Sequence, residues 1–127
     1  MATSAALVTA SIWQGGPALC LGRFLGMTGS YLLQSNVSSI SYAVTDLDNA
    51  EAVTGSGALV VSTTIYDTLQ TDLTWVKDAT GYNFRALLAS SCFPTANHRY
   101  RAVFTLVTSA WGNLVQPFEI YAADPGG

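Results

Sequence analysis

The sequence predicts an all-β fold, a sandwich or barrel of seven or eight strands, on three observations. Apolar and polar residues alternate at period two in segment after segment, as half-buried strands require. Clusters of Gly, Asn, Asp and Ser punctuate these runs: QGGP, GMTGS, DLDNA, TGSG, DATG, PTAN and SAWGN. No long stretch carries a helical apolar stripe, and IYDTLQ makes one turn at most. With 127 residues and no internal repeat, linker or low-complexity tract, the chain reads as one domain, 1–127. That length supports a core without metal or disulfide help.

The elements follow in order. ALVTASIW is strand-like and uncharged, and residues 1–18 read as an N-terminal arm or an added strand. Such a segment suits pairing with the sheet edge of a neighbour, where N–H and C=O groups stand free. It lacks the charged n-region of a signal peptide, so none is expected. ALCLGRFLG is the next strand-like run. In SSISYAVTD, Ile40, Tyr42 and Val44 oppose Ser41, Ala43 and Thr45. GALVVSTTI reads as a strand ending near Thr64. In NFRALLAS, Phe84, Ala86 and Leu88 share a face. In RYRAVFTLVTS, Tyr100, Ala102, Phe104 and Leu106 do the same. LVQPFEIYAA sets Gln116, Phe118 and Ile120 against Pro117, Glu119 and Tyr121. Pro117 has no N–H to give a ladder, which predicts an edge strand or a bulge. SAWGN reads as the hairpin joining the last two strands.

Between Thr64 and Asn83 lies TLQTDLTWVKDATGYNF, read as a long crossover held by its own side chains. Trp75 and Tyr82 are its anchors, and Asp72 and Asp78 are expected to accept backbone N–H groups. DATG has the residues of a β-turn. Tyr82 is placed like the corner tyrosine of β-sandwiches, whose hydroxyl ties a crossover to the sheet.

Composition narrows the function. Half the residues are apolar and only 10% are charged, against about 25% in ordinary domains. Much apolar surface is therefore either exposed or covered by neighbours, which points to an assembly subunit and a homo-oligomer. A net charge of −3 argues against nucleic acid, and Arg99 and Arg101 alone make a weak basic patch. No apolar run is long enough to be a membrane helix.

The chemistry-bearing residues are sparse. His98, the one histidine, sits beside the turn TANHR and reads as a surface or capping residue, with no sequence around any serine resembling a nucleophile elbow. Cys20 and Cys92 read as two buried thiols, a disulfide between them being the less favoured alternative. Asp46, Asp48 and Glu51 in DLDNAE could hold a calcium ion, but their spacing is not that of an EF-hand and a tight turn is preferred. Two cysteines and one histidine in separate segments do not make a zinc site. The chain is accordingly read as a non-enzyme with no catalytic residue, cofactor or metal. Trp13, Tyr31, Trp111 and Tyr121 are the candidate contact anchors, because aromatic residues are enriched at hot spots.

Three segments also carry a resemblance. GRFLGMTGSYLLQSNVSSISYAVTDLDNAEAV, TIYDTLQTDLTWVKDATGYNF and FPTANHRYRAVFTLVT follow one another as in small virion proteins of tailed bacteriophages and prophages. The shared patterns VxSIxYxVxDL, DTLQxDxxWxxDxxGYNF and a final strand pair fall at Ser39 to Leu47, Asp67 to Phe84 and Tyr100 to Leu106. The residues up to Cys20 depart from the shorter start of such proteins. The resemblance implies an immunoglobulin-like β-sandwich with a structural role, made in the bacterial host cytoplasm and built into the virion. Its implied partners are the major capsid protein or other virion proteins, as a capsid decoration or cement protein. A connector, tail or baseplate subunit is the alternative. A carbohydrate- or surface-binding module is a further one, since adhesive domains share the fold.

Overall fold

The computed structural model describes residues 2–4, 8–13, 15–26, 29–72 and 79–124. Among them are nine strands: β1 (Ala2–Ser4), β2 (Val8–Trp13), β3 (Ala18–Gly22), β4 (Val37–Asp46), β5 (Ala52–Leu59), β6 (Ile65–Gln70), β7 (Tyr82–Leu88), β8 (His98–Thr108) and β9 (Gly112–Ala123). One helical turn, α1 (Val61–Thr64), precedes β6. The strands form an all-β sandwich of two sheets. The larger runs β9–β8–β4–β5, with β1 and β2 both lying parallel along the outer side of β9. The smaller is β3–β7–β6 and antiparallel.

The alternation read from the sequence sets which side chains meet between the sheets. Tyr100, Ala102, Phe104 and Leu106 of β8 are buried, as are Phe118, Ile120 and Ala122 of β9. Phe84, Ala86 and Leu88 of β7 and Ala18 and Cys20 of β3 face them. Phe84 of the smaller sheet meets Phe104 of the larger edge-on at 5.0 Å, and Phe104 meets Phe118 of the neighbouring strand β9 at 5.5 Å. Edge-to-face rings of this kind add about 0.5–1.5 kcal/mol each beyond their buried area.

Three expectations are corrected and a fourth is extended. First, ALVTASIW is not free to reach a neighbour's edge. Val8–Trp13 is an added strand of its own sheet, paired with Phe118 to Ala123. Second, GALVVSTTI is not one strand. It splits into the end of β5, the turn α1 and the start of β6, and IYDTLQ is strand rather than helix. Third, β9 is an interior strand despite Pro117. Among the described residues β1 pairs with 113–115 and β2 with 118–123, on one side of β9, and β8 pairs along its other side.

Fourth, Tyr82 is not alone in tying an incoming connection by its hydroxyl, for Tyr100 does so too. The Tyr100 hydroxyl accepts the Thr95 N–H at 2.9 Å and donates to the Thr95 carbonyl at 3.2 Å. That ties the chain entering β8 to the sheet. Tyr82 donates to Asp72 Oδ2 at 2.7 Å, clasping the ends of the β6–β7 connection. This connection spans 71–81, shorter than expected because β6 takes the first part of the stretch. Trp75 and Asp78 lie outside the described residues. Gly81 ends the connection at φ 103°, and a Cβ there would stand 2.5 Å from the Gln70 carbonyl oxygen, so glycine is required.

Candidate interaction surface

One end of the sandwich gathers exposed apolar side chains. Val37 pairs with Thr108 and Ile40 with Leu59, so the β3–β4 connection, the β8–β9 turn and the start of α1 all leave the larger sheet at this end. The β3–β4 connection doubles back on itself through a bridge between Leu25 and Tyr31. Leu25 is 53% exposed and Tyr31 44%, with Leu33 at 38% and Val60 at 63%. Trp111 stands beside them, half-buried on Gly26, where a Cβ would lie 2.5 Å from the indole ring.

Polar anchors hold this tip in shape. Asn83 of β7 is 1% exposed and makes three bonds into the β3–β4 connection. It accepts the Phe24 N–H at 2.7 Å and donates to the carbonyls of Phe24 at 2.9 Å and Leu32 at 3.1 Å. Gln34 donates to the Ile65 carbonyl at 2.9 Å, while its own N–H donates to Asp67 Oδ1 at 2.8 Å. The connection is thereby fastened to β6 and β7, and its apolar residues are presented on a fixed frame. Preorganisation lowers the ordering cost of docking.

A second feature is β5, the far edge of the larger sheet. Its sequence AVTGSGAL has no charge and no proline. Natural edges are usually blunted by such residues; here the described interruption is a bulge at Thr54, opposite Val44 and Thr45 of β4.

The residues weighed for chemistry are tied into the fold. Asp46 and Asp48 belong to the turn between β4 and β5. Asp46 Oδ1 accepts the Asp48 N–H at 3.0 Å and Asp46 Oδ2 lies 2.7 Å from His98 Nδ1. Asp48 accepts the Arg99 N–H at 2.7 Å and pairs with its guanidinium at 3.1 Å. The Arg99 hydrogen bonds hold the Asp48 carboxyl below the usual carboxylate range. Ala50 and Glu51 take positive φ, completing the tight turn. Among the described residues no three His, Cys, Asp or Glu side chains converge as a metal site would need.

Sequence reasoning missed the Asp46–His98 contact, which depends on the β4–β8 register. The cysteines are unpaired and buried. Burial pushes the Cys20 thiol up to about 12 and raises Cys92 as well, which suppresses the thiolate that nucleophilic attack requires.

The four aromatic anchors separate. Tyr31 and Trp111 come together at the tip. Tyr121 lies near the other end of β9, 38% exposed, donating to Asn97 Oδ1 at 2.9 Å. Trp13 is in register with Ala123, beyond Tyr121, and its side chain lies outside the described residues. The signal that could have found Leu25, Leu33 and Val60 was their place in connections rather than strands, where an apolar side chain has no core to enter. Comparison with protein-family models, with curated proteins and with solved structures gives no match.

Proposed function

We propose that the protein is a structural subunit that docks into a larger assembly through its apolar tip. One observation carries this reading: four large apolar side chains from two connections, Leu25, Tyr31, Leu33 and Val60, are exposed together in a chain only 10% charged. Clustered exposed apolar residues mark interaction sites, and scattered ones do not. The sequence resemblance supplies the kind of assembly, a tailed-phage virion, and the role of a capsid decoration or cement protein bound to the major capsid protein. In that role each copy buries its tip at a repeated site on the shell, and mass action favours the assembled state. At about 25 cal/mol per Å², several hundred Å² of buried apolar area contributes several kcal/mol before the cost of association.

The immunoglobulin-like reading of the sandwich draws support from the strand order. A β9–β8–β4 sheet facing a β3–β7–β6 sheet matches the G–F–C and B–E–D arrangement, and Tyr100 has the place of the corner tyrosine. In such folds the end carrying the β3–β4 and β8–β9 connections is the one that binds partners.

Purified particles test the proposal. A decoration protein is present in copies near those of the major capsid protein, and stripping it lowers the shell's resistance to heat and low salt. Copies of six or twelve would move the protein to the connector, tail or baseplate. Its absence from particles would refute the virion role.

A further inference from the structure

The outer face of the larger sheet is charged at one corner only. There Arg99 pairs with Asp48, and Arg101 lies 3.7 Å from Glu119, so two cations stand with two anions. Over the rest of the face the outward positions of β4, β5, β8 and β9 are short and uncharged. Val103 and Thr105 of β8 stand in register with Pro117 and Val115 of β9 on one side and Ala43 and Ser41 of β4 on the other. A free sandwich normally turns charged side chains outward at such places.

We infer that this face packs against the same face of a second copy. Three considerations select that occupant. Sheets of short side chains approach to about 10 Å and interdigitate, as two faces of one core do. An isologous contact sets each patch against itself, so uncompensated charge would repel; here the centre is uncharged, and at the corner Arg99 and Arg101 each stand with a carboxylate. Area decides between this face and the β5 edge. Four strands spaced about 4.8 Å apart, with residues rising about 3.3 Å along the 11-residue β8, cover roughly 700 Å². A stable partner contact needs about 800 Å² per side, and β1 and β2 extend the face toward that figure. The eight-residue β5 edge, about 26 Å long and one sheet thick, supplies less than half as much. The dimer concerns a surface distinct from the tip, so it stands or falls apart from the virion role.

Sedimentation and light scattering of the purified full chain over a wide concentration range test it. The wild type is expected to dimerise. Val103→Arg and Val115→Lys should each weaken the dimer on the order of a hundredfold, because each buries an unpaired charge. Leu87→Lys, on the outer face of the smaller sheet, should leave it unchanged. Circular dichroism and melting identify any variant that has lost the fold. A wild-type monomer at every concentration overturns the inference. So does a folded Val103→Arg, together with a folded Val115→Lys, that dimerises as the wild type does, or a dimer lost through Leu87→Lys alone. A dimer held by this face in a protein absent from particles would support the inference while refuting the virion role. A monomer abundant in particles would do the reverse.

Discussion

Asn83 concentrates three hydrogen bonds in one buried side chain, and its removal strands the buried Leu32 carbonyl and the Phe24 N–H, while the Phe24 carbonyl keeps the Leu32 N–H at 3.0 Å. Each unsatisfied buried group costs about 1–3 kcal/mol, so Asn83→Ala should destabilise by roughly 2–4 kcal/mol. Asn83→Asp should do no better, since a carboxylate cannot donate to either carbonyl. Urea unfolding checks both, and a loss below about 0.5 kcal/mol would contradict the role given to Asn83. Cys20 makes a prediction with a sign. Its folded value is raised from 9.0 to about 12 by burial. Stability from the neutral buried thiol is therefore complete below its unfolded value and lost as pH rises toward 12. Relative to Cys20→Ala, the wild type should lose stability above pH 9 by at most about 1.4 kcal/mol per unit. Urea unfolding at pH 7 to 11 measures the difference. At this scale the sequence was a partial guide. It placed Tyr100 and Phe104 on one face by period, and took Cys20 as buried only because an unpaired cysteine behaves as a small hydrophobe. It found the tie at Tyr82 because that residue precedes a strand, but missed the one at Tyr100, which depends on where the chain turns back at Thr95.

Elements were more legible than residues, since a period of two needs only neighbours. β4, β7, β8 and β9 lie where alternation put them. The failures share a cause, which is that pairing is not local. Val60, Val61, Thr63 and Thr64 are β-branched and read as strand, yet the chain must turn there to change sheets. The Thr63 N–H bonds to the Val60 carbonyl at 3.2 Å. Pro117 likewise looked like an edge because the strands that flank β9 on its outer side come from the far end of the chain. The proposed immunoglobulin-like reading makes a prediction at this scale. Cys20 on β3 and Ala102 on β8 are both buried, and Ala102 follows Tyr100 by two residues, the spacing that the second cysteine keeps from the corner tyrosine in such sandwiches. In Ala102→Cys the introduced thiol should therefore oxidise with Cys20 to a disulfide, with a mass lower by two hydrogens and stability raised by about 2–4 kcal/mol. A folded variant that resists oxidation would mean that the two sheets are not in that register.

Across the whole molecule the shortage of charge is distributed unevenly, and its distribution carries the functional argument. The described ion pairs Arg99–Asp48 and Arg101–Glu119 sit at one corner, and His98–Asp46 sits beside them. The opposite end has Leu25, Tyr31, Leu33 and Val60 exposed. A sandwich built only for solubility would have no reason to hold these residues on a frame anchored by Asn83 and Gln34. The tip was only half legible beforehand: Tyr31 and Trp111 stood out as aromatics, but their meeting depended on which connections share an end. Substituting Leu25 and Tyr31 together by lysine separates docking from folding. Both side chains are exposed, so each change should alter stability by no more than about 0.5 kcal/mol and leave the melting curve in place. Solubility should rise. Binding to stripped particles, measured by co-sedimentation, should fall at least about a hundredfold, because two lysines would have to be desolvated against an apolar site. If the variant folds and sediments with particles as the wild type does, the tip is not the docking surface and the uncharged β5 edge becomes the place to look.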